Sequence, residues 1–231
     1  MKATTKTNPD IPIIYEDNHL LVIDKPAGLL SQEDHTGNPD VLTLCKQYIK
    51  KKYNKPGDVF LGLVHRLDQP VSGVMVIART SKAASRLSAQ IRKRTIDKTY
   101  WAMVEGMTPV FGEMVHFLEK DSRTNTVKAF KSKRGSAKEA RLKFKTLKQS
   151  AHYSLVEIDL ITGRPHQIRV QMAKEGFPLW GDQKYGELGQ NKGKDIALRA
   201  VKLEIEHPTK KDTLKFEAPI PKGQPWNLFE F

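Results

Sequence analysis

Within residues 64–79, VHRLDQPVSGVMVIAR, one carboxylate, Asp68, sits in a turn between two apolar runs. The run FLGLV at 60–64 leads in and Val74–Ala78 leads out, a pattern that predicts two short buried strands around a tight turn. Pro70 fixes its own φ and biases Gln69 toward extended backbone, while Gly73 admits angles that other residues resist. A carboxylate stiffened in this way suits a nucleophile or a base. The same placement suits an aspartate that caps the turn by accepting from backbone amides. Two well-known chemistries drop out. A kinase catalytic loop is excluded because Leu67 separates His65-Arg66 from Asp68 and no glycine-rich phosphate loop precedes it. A nucleophile elbow at Ser72-Gly73 is excluded because Pro70 stands where its first glycine belongs.

A second chemically loaded segment is TGRPHQIRVQM at 162–172. A strand ends at Ile161, Gly163 opens a turn, and a short helix begins at His166 with Ile168 and Met172 inward. Arg164 and Arg169 flank that helix start, so one can meet a carboxylate from elsewhere while the other faces solvent. Both could equally be surface arginines of an ordinary connection. His166 is a possible ligand, but the seven histidines show no metal-ligand spacing, and a single cysteine argues against zinc. Tyr100 lies in a strand over Lys98–Val104, sharing a face with Ala102 and Val104. It is a core tyrosine unless that face looks into a cleft. Lys25, in the angular turn Asp24–Gly28, either sits near a phosphate or belongs to a plain turn.

The elements that must hold these residues follow from the pattern. Residues 1–10 read as a disordered tail, and 11–231 as one domain. Strands are expected on either side of residues 16–19, and at Thr126–Phe130, Ala140–Leu147, Tyr153–Ile161, Ala197–Glu206 and Thr213–Glu217. Helices are expected at Val41–Tyr53, with Leu42, Cys45 and Ile49 inward, and from Ser81, as cap, to about Arg94. This is an α+β chain: a mixed, largely antiparallel sheet with flanking helices.

Charge narrows the partner. With 39 Lys+Arg against 26 Asp+Glu the formal charge is +13 and the pI about 9.7, so a polyanion is the natural partner. From Asp121 to Lys145 there are nine basic and two acidic residues around a turn at Gly135-Ser136, a stretch suited to a phosphate-contacting hairpin or to a solvated surface. No apolar run approaches the ~20 residues that span a bilayer, and the polar start lacks a secretory h-region. With one cysteine, Cys45, a cytoplasmic protein with no internal disulfide is expected, and the absence of a coiled-coil seam points to a monomer.

Taken in order, VHRLDQPVSG, KTYWAMVEG and TGRPHQIRVQM closely resemble the RluA-type pseudouridine synthases. IDKPAGL at Ile23–Leu29 and FPLWGDQKYG at Phe177–Gly186 add to the likeness, which runs from about Ile14 to His207. The resemblance implies a sheet with a central catalytic cleft and isomerisation of uridine to pseudouridine in structured RNA, ribosomal or transfer. It implies no cofactor and no metal. It makes Asp68 the catalytic aspartate, Tyr100 the tyrosine that stacks on the base and can help remove a proton, and Arg169 the partner of Asp68. Arg66 would help hold RNA with the target nucleotide turned out, and Lys25, Arg164 and His166 are further candidates for RNA contact. A separate N-terminal RNA-binding domain, common among relatives, is not expected. Val71, Pro165, Gln171 and Arg199 depart from the family pattern at positions that shape the cleft. Two other functions compete: a non-catalytic RNA-binding ribosome-assembly factor on the same fold, and a glycosidase acting on small nucleosides.

Overall fold

The computed structural model describes residues 11–34, 36–186 and 195–229, so the expected tail at 1–10 lies outside the described residues. In chain order the elements are β1 (Ile13–Glu16), β2 (Leu20–Lys25), α1 (Val41–Lys52), β3 (Gly62–Leu63), β4 (Ser72–Ala78), α2 (Ser81–Lys93), β5 (Asp97–Glu105), β6 (Phe111–Asp121), β7 (Thr126–Phe130), β8 (Lys138–Gln149), β9 (Tyr153–Leu160), α3 (Gln167–Lys174), β10 (Leu198–Glu206) and β11 (Thr213–Glu217). They build one sheet in the order β1-β2-β4-β10-β5-β9-β8-β6-β7, with β3 on β4 and β11 on β10. Every named pairing is antiparallel except β4 with β10.

The apolar runs explain the layering. In β2 and β4 both faces are buried, which is why these strands read as continuous apolar runs rather than alternating ones. Leu20, Val22, Val74 and Val76 meet α2 through Ala83 and Leu87. Leu21, Ile23, Met75 and Ile77 face the opposite way, joining Leu44, Cys45 and Ile49 of α1. That second core continues through Tyr100, Ala102 and Ile158 to Ile168 and Met172 of α3.

Three expectations change. The run before Asp68 forms only the two-residue β3, and Phe60 is exposed, so the lead-in is a bridge and not a buried strand. The cap of α2 is Thr80, whose side chain accepts from the Ala83 N–H at 3.1 Å, while Ser81 is already helical. Strand β6 was not among the expected strands: buried His116 sits among its inward positions Met114 and Leu118, while Phe111 and Val115 point outward, which blurs the alternation.

The parallel pair is what brings the site together. Ala200 of β10 lies opposite Gly73 on one side and Tyr100 on the other, tying the strand that follows Asp68 to the strand that carries Tyr100. Gly73 has φ +119°, and a Cβ there would lie 2.1 Å from the Ala200 carbonyl oxygen. Only glycine allows β10 to approach this closely.

Candidate active site

Asp68 is held by its neighbours' backbone, and its carboxylate is left for other work. The Val71 N–H closes the turn onto the Asp68 carbonyl at 3.0 Å. Ser31 clamps the preceding residue, its hydroxyl donating to the Leu67 carbonyl at 2.7 Å and accepting from the Leu67 N–H at 3.2 Å. Behind the loop lies the turn after β2. Gly28 N–H donates to the Gln69 carbonyl at 2.9 Å, and the Gln69 amide returns a bond to the Gly28 carbonyl at 3.2 Å. His65 Nε2 accepts from the Val76 N–H at 3.0 Å, and burial, followed by the nearby charge of Lys98, depresses its pKa to about 4. The imidazole is therefore a neutral strut.

Lys25 belongs to this scaffold. It is completely buried, and its ammonium donates to the carbonyls of Pro26, Gln69 and Val71 at 3.0, 3.1 and 2.8 Å. Burial lowers its pKa to about 8, partly countered by the charge of Asp68. Left open by the sequence between a phosphate neighbour and a plain turn, Lys25 pins both sides of the Asp68 turn, because the loop carbonyls bend inward and need a donor.

Among the described residues the Asp68 carboxylate accepts from Arg169 and from no backbone amide. The turn-capping alternative is thus not what the structure holds. Arg169, on α3, spends most of its guanidinium elsewhere. Nε and Nη2 donate to Asp182 Oδ2 and Oδ1 at 2.8 and 2.7 Å, and Nη1 reaches Asp68 Oδ2 at 3.2 Å. The side chains grade from 0% exposed at Asp182 through 7% at Arg169 to 28% at Asp68, so the chain of charges runs from the interior to the cleft. Burial opposes the charge on Arg169, but bonding to Asp182 and then the two carboxylate charges raise its pKa. Asp182 Oδ1 also accepts from the Lys184 and Tyr185 N–H groups at 3.0 and 3.3 Å. The Tyr185 ring lies 5.3 Å beneath the Arg169 guanidinium.

Helix α3 starts on a lock that the sequence conceals. His166 has φ 52°, and its side chain makes no capping bond. Gln167 Oε1 accepts from the Thr162 hydroxyl at 2.7 Å and the Arg164 N–H at 3.0 Å, and its amide donates to the Arg141 carbonyl at 3.1 Å. His166 Nδ1 lies 2.7 Å from the Tyr185 hydroxyl, which also accepts from the Val127 N–H at 2.8 Å. Burial lowers the His166 pKa, Asp68 works against that, and Arg169, Lys184 and Lys120 add to the lowering. Arg164 turns to the surface, donating from Nε to the Glu139 carbonyl at 3.0 Å. Of the two arginines, Arg169 takes the carboxylate and Arg164 the rim.

These parts line a cleft of 630 Å³ that contains Arg66, Asp68, Tyr100, Arg164, His166 and Arg169. Arg66 is exposed at its mouth. Tyr100 is buried, its hydroxyl has no hydrogen-bond partner among the described residues, and burial and the charge of Asp68 push its pKa well above the ordinary value. The cleft therefore offers a carboxylate, an aromatic phenol and a fixed cation side by side, with basic groups at its edge. Asp182, Tyr185 and Gln167, which the sequence pattern did not single out, brace Arg169 and the start of α3, although Asp182 and Tyr185 lie in the FPLWGDQKYG segment. Among the described residues no group of three or more His, Cys, Asp or Glu could hold a metal ion, and no helix is long and apolar enough to cross a membrane.

Comparison with known proteins gives concordant matches. The model of a family described as RNA pseudouridylate synthase matches residues 19–174. A ribosomal large subunit pseudouridine synthase D of Neisseria meningitidis is 34% identical over 91% of this chain and 58% of its own length. The uncharacterized RNA pseudouridine synthase YhcT of Bacillus subtilis is 34% identical over 92% of this chain and 69% of its own. This chain therefore spans little more than half the length of the first of them. Among solved structures, human RNA pseudouridylate synthase domain containing 1 superposes with a TM-score of 0.75 at 25% identity, covering 93% of this chain and 87% of that one.

Proposed function

The chain belongs to the RNA pseudouridylate synthase family, and from that premise we propose that it isomerises uridines in structured RNA to pseudouridine, with Asp68 as the reacting group. The observation that carries the reading is the Asp68 carboxylate in the cleft, held among the described residues by Arg169 alone and set in the same cleft as the buried Tyr100. The reaction breaks the N1–C1′ bond of uridine, turns the base, joins C5 to C1′ and releases the C5 hydrogen as a proton while N1 gains one. Atoms balance without a redox partner or a group donor.

The residues divide the work by position. A uridine within a helix presents neither face to a protein, so it must leave the stack, at a cost of a few kcal/mol. Stacking on Tyr100 returns about 1 to 3 kcal/mol of that. Arg66, exposed at the mouth, holds the strand from which the nucleotide has turned out. Asp68 attacks the sugar or takes a proton from it, while the Arg169 Nη1 bond fixes which carboxylate oxygen faces away from the substrate. Arg164 and His166 border the opening, and Lys25 keeps the loop rigid from beneath. Large-subunit ribosomal RNA is the first substrate to try, because several relatives carry that RNA in their names; transfer RNA is the second.

The test is release of tritium from RNA labelled at uridine C5, prepared from cells lacking the enzyme, since closing the C5–C1′ bond expels that label. Wild type should release it from one of the two pools, and Asp68→Asn should bind the same RNA without release. Release by the Asp68→Asn protein would overturn the role of Asp68. Binding by wild type with no release from either pool would favour a non-catalytic RNA-binding role.

A further inference from the structure

Lys98 is a partly buried cation of the cleft wall that the site described above does not use; Lys120, which also lines the cleft, is exposed. It precedes Tyr100 by two residues on β5, so both side chains leave the same face of the strand, about 7 Å apart along it. Both line the cleft with Asp68. The other inner cations are engaged: Lys25 on three carbonyls and Arg169 on two carboxylates. Lys98 has neither a hydrogen bond nor an ion pair among the described residues, although it is partly withdrawn from solvent and burial lowers its pKa. A partly shielded ammonium with no partner among the described residues is open to an incoming anion.

Its surroundings indicate what it waits for. The ammonium extends along the wall from Tyr100, because Lys98 shares its face of β5 two residues away. It hangs over the 162–164 turn, where a Cβ on Gly163 would lie 3.5 Å from Nζ, and it adds its charge to the environment of His65. Arg66, Lys120 and Arg164 border the same cleft, with Glu33 and Asp34 also on its lining, so Lys98 belongs to a set of cations that outnumbers the acidic groups there. A nucleotide whose base rests on Tyr100 with its sugar at Asp68 carries its phosphates away from both, along such a wall. A compact ammonium suits a phosphate oxygen as a point charge.

We propose that Lys98 is a phosphate ligand of the cleft, pairing with one backbone phosphate beside the nucleotide presented to Asp68 and Tyr100. This rests on the RNA-isomerase reading, and it adds a residue that sets where along the strand the target must lie. The contact fixes register, and it does not touch the reacting atoms.

The experiment compares wild type, Lys98→Met and Lys98→Arg, all in the Asp68→Asn background for binding and in the native background for single-turnover tritium release. Lys98→Met keeps the stem and removes the charge. One phosphate contact accounts for about 0.7 to 0.9 in the slope of log affinity against log salt, so Lys98→Met should lower the slope by that amount and weaken binding at low salt by about three- to tenfold. Lys98→Arg should restore the slope. Replacing each phosphate around the target by a neutral methylphosphonate should weaken wild type at one position, and at that position Lys98→Met should lose nothing further. Melting should show Lys98→Met at least as stable as wild type, because an uncompensated charge has been removed. An unchanged salt slope with slower turnover would assign Lys98 to a uracil carbonyl and overturn the proposal. A lower melting temperature with unchanged slope would make it structural and overturn it too. If wild type released no tritium, the isomerase reading would fall, while the slope measured in binding would still decide the phosphate contact.

Discussion

Asp182 and Arg169 form a two-bond fork inside the protein, Nε to Oδ2 at 2.8 Å and Nη2 to Oδ1 at 2.7 Å, and only the third nitrogen of Arg169 reaches Asp68. The arginine that faces the cleft is aimed by a carboxylate that never sees solvent. Pairing of this kind fixes the plane of the guanidinium as well as its charge.

Asp182→Asn should therefore damage turnover through a residue that touches no substrate. The amide still accepts one of the two donors, but its NH2 meets the other and tips the guanidinium away from Asp68. Weakening a buried pair from one side costs up to about 3 to 5 kcal/mol of stability, and support lost behind a reacting group slows the chemistry by about ten- to a hundredfold. Single-turnover rate at saturating RNA, measured beside the RNA dissociation constant and a urea melt, checks this. The rate should fall while the dissociation constant holds within about threefold. Equal losses in rate and affinity would show that Asp182 shapes RNA binding instead.

Tyr100 carries a different expectation. Burial and the charge of Asp68 raise its pKa, so the neutral phenol persists across the pH range in which RNA is handled. It can donate or stack there; it is not a standing phenolate. Tyr100→Phe should bind RNA nearly as well as wild type and lose about 10²-fold or more in turnover if the hydroxyl moves a proton. The pH–rate profile of wild type should show no limb from this residue below pH ~10. A Phe variant with full activity would reduce Tyr100 to a stacking surface.

Much of this was legible in the sequence because each feature had a short-range cause. The two-sided burial of β2 and β4 shows as unbroken apolar runs, and α1 and α2 show their inner faces at helical spacing. Other features depend on distant partners. Strand β6 escaped because His116, buried and bonded to Glu175 at 2.9 Å, reads as polar where an inward residue should be apolar. The same long range hid Asp182, which stands 13 residues from its arginine, and the burial of Lys25, whose acceptors Gln69 and Val71 lie 44 and 46 residues on. Gly73 was expected to ease a turn, yet its use is to admit the Ala200 backbone, a contact between segments far apart in the chain.

Lys25 supplies a pH prediction. Its ordinary pKa of 10.5 is lowered to about 8 in the fold, chiefly by burial. Between those values the unfolded chain binds the proton that the folded chain has released, so stability gains from this group as pH rises from 8 to 10.5. The full gain is roughly 3 kcal/mol. Lys25→Met removes the gain and leaves the Gln69 and Val71 carbonyls without their donor. Urea melts at pH values across that window should show the wild-type advantage over Lys25→Met widening with pH. A constant difference would mean that Lys25 keeps its ordinary pKa in the fold.

Asp17 works in the opposite direction and at the other end of the scale. It joins the β1–β2 turn to the segment after β10, accepting from the His19 and Leu20 N–H groups at 2.7 Å each and from Tyr15 and His207 at 2.9 Å each. Burial pushes its pKa up, but these bonds outweigh it and hold the carboxyl at about 2, against 3.8 ordinarily. A depressed carboxyl contributes its stability above the unfolded value and loses it as pH falls through the folded one. About 2 kcal/mol should thus be present at neutral pH and vanish between pH ~4 and ~2. Asp17→Asn keeps one acceptor oxygen without the charge, so it should be less stable than wild type at pH 7, with the gap closing as the solution is acidified across that window. Thermal melts of both proteins from neutral to acid pH make the comparison. A gap that persists to the acid end would show that the stability of this junction comes from packing around His207 rather than from the charge on Asp17.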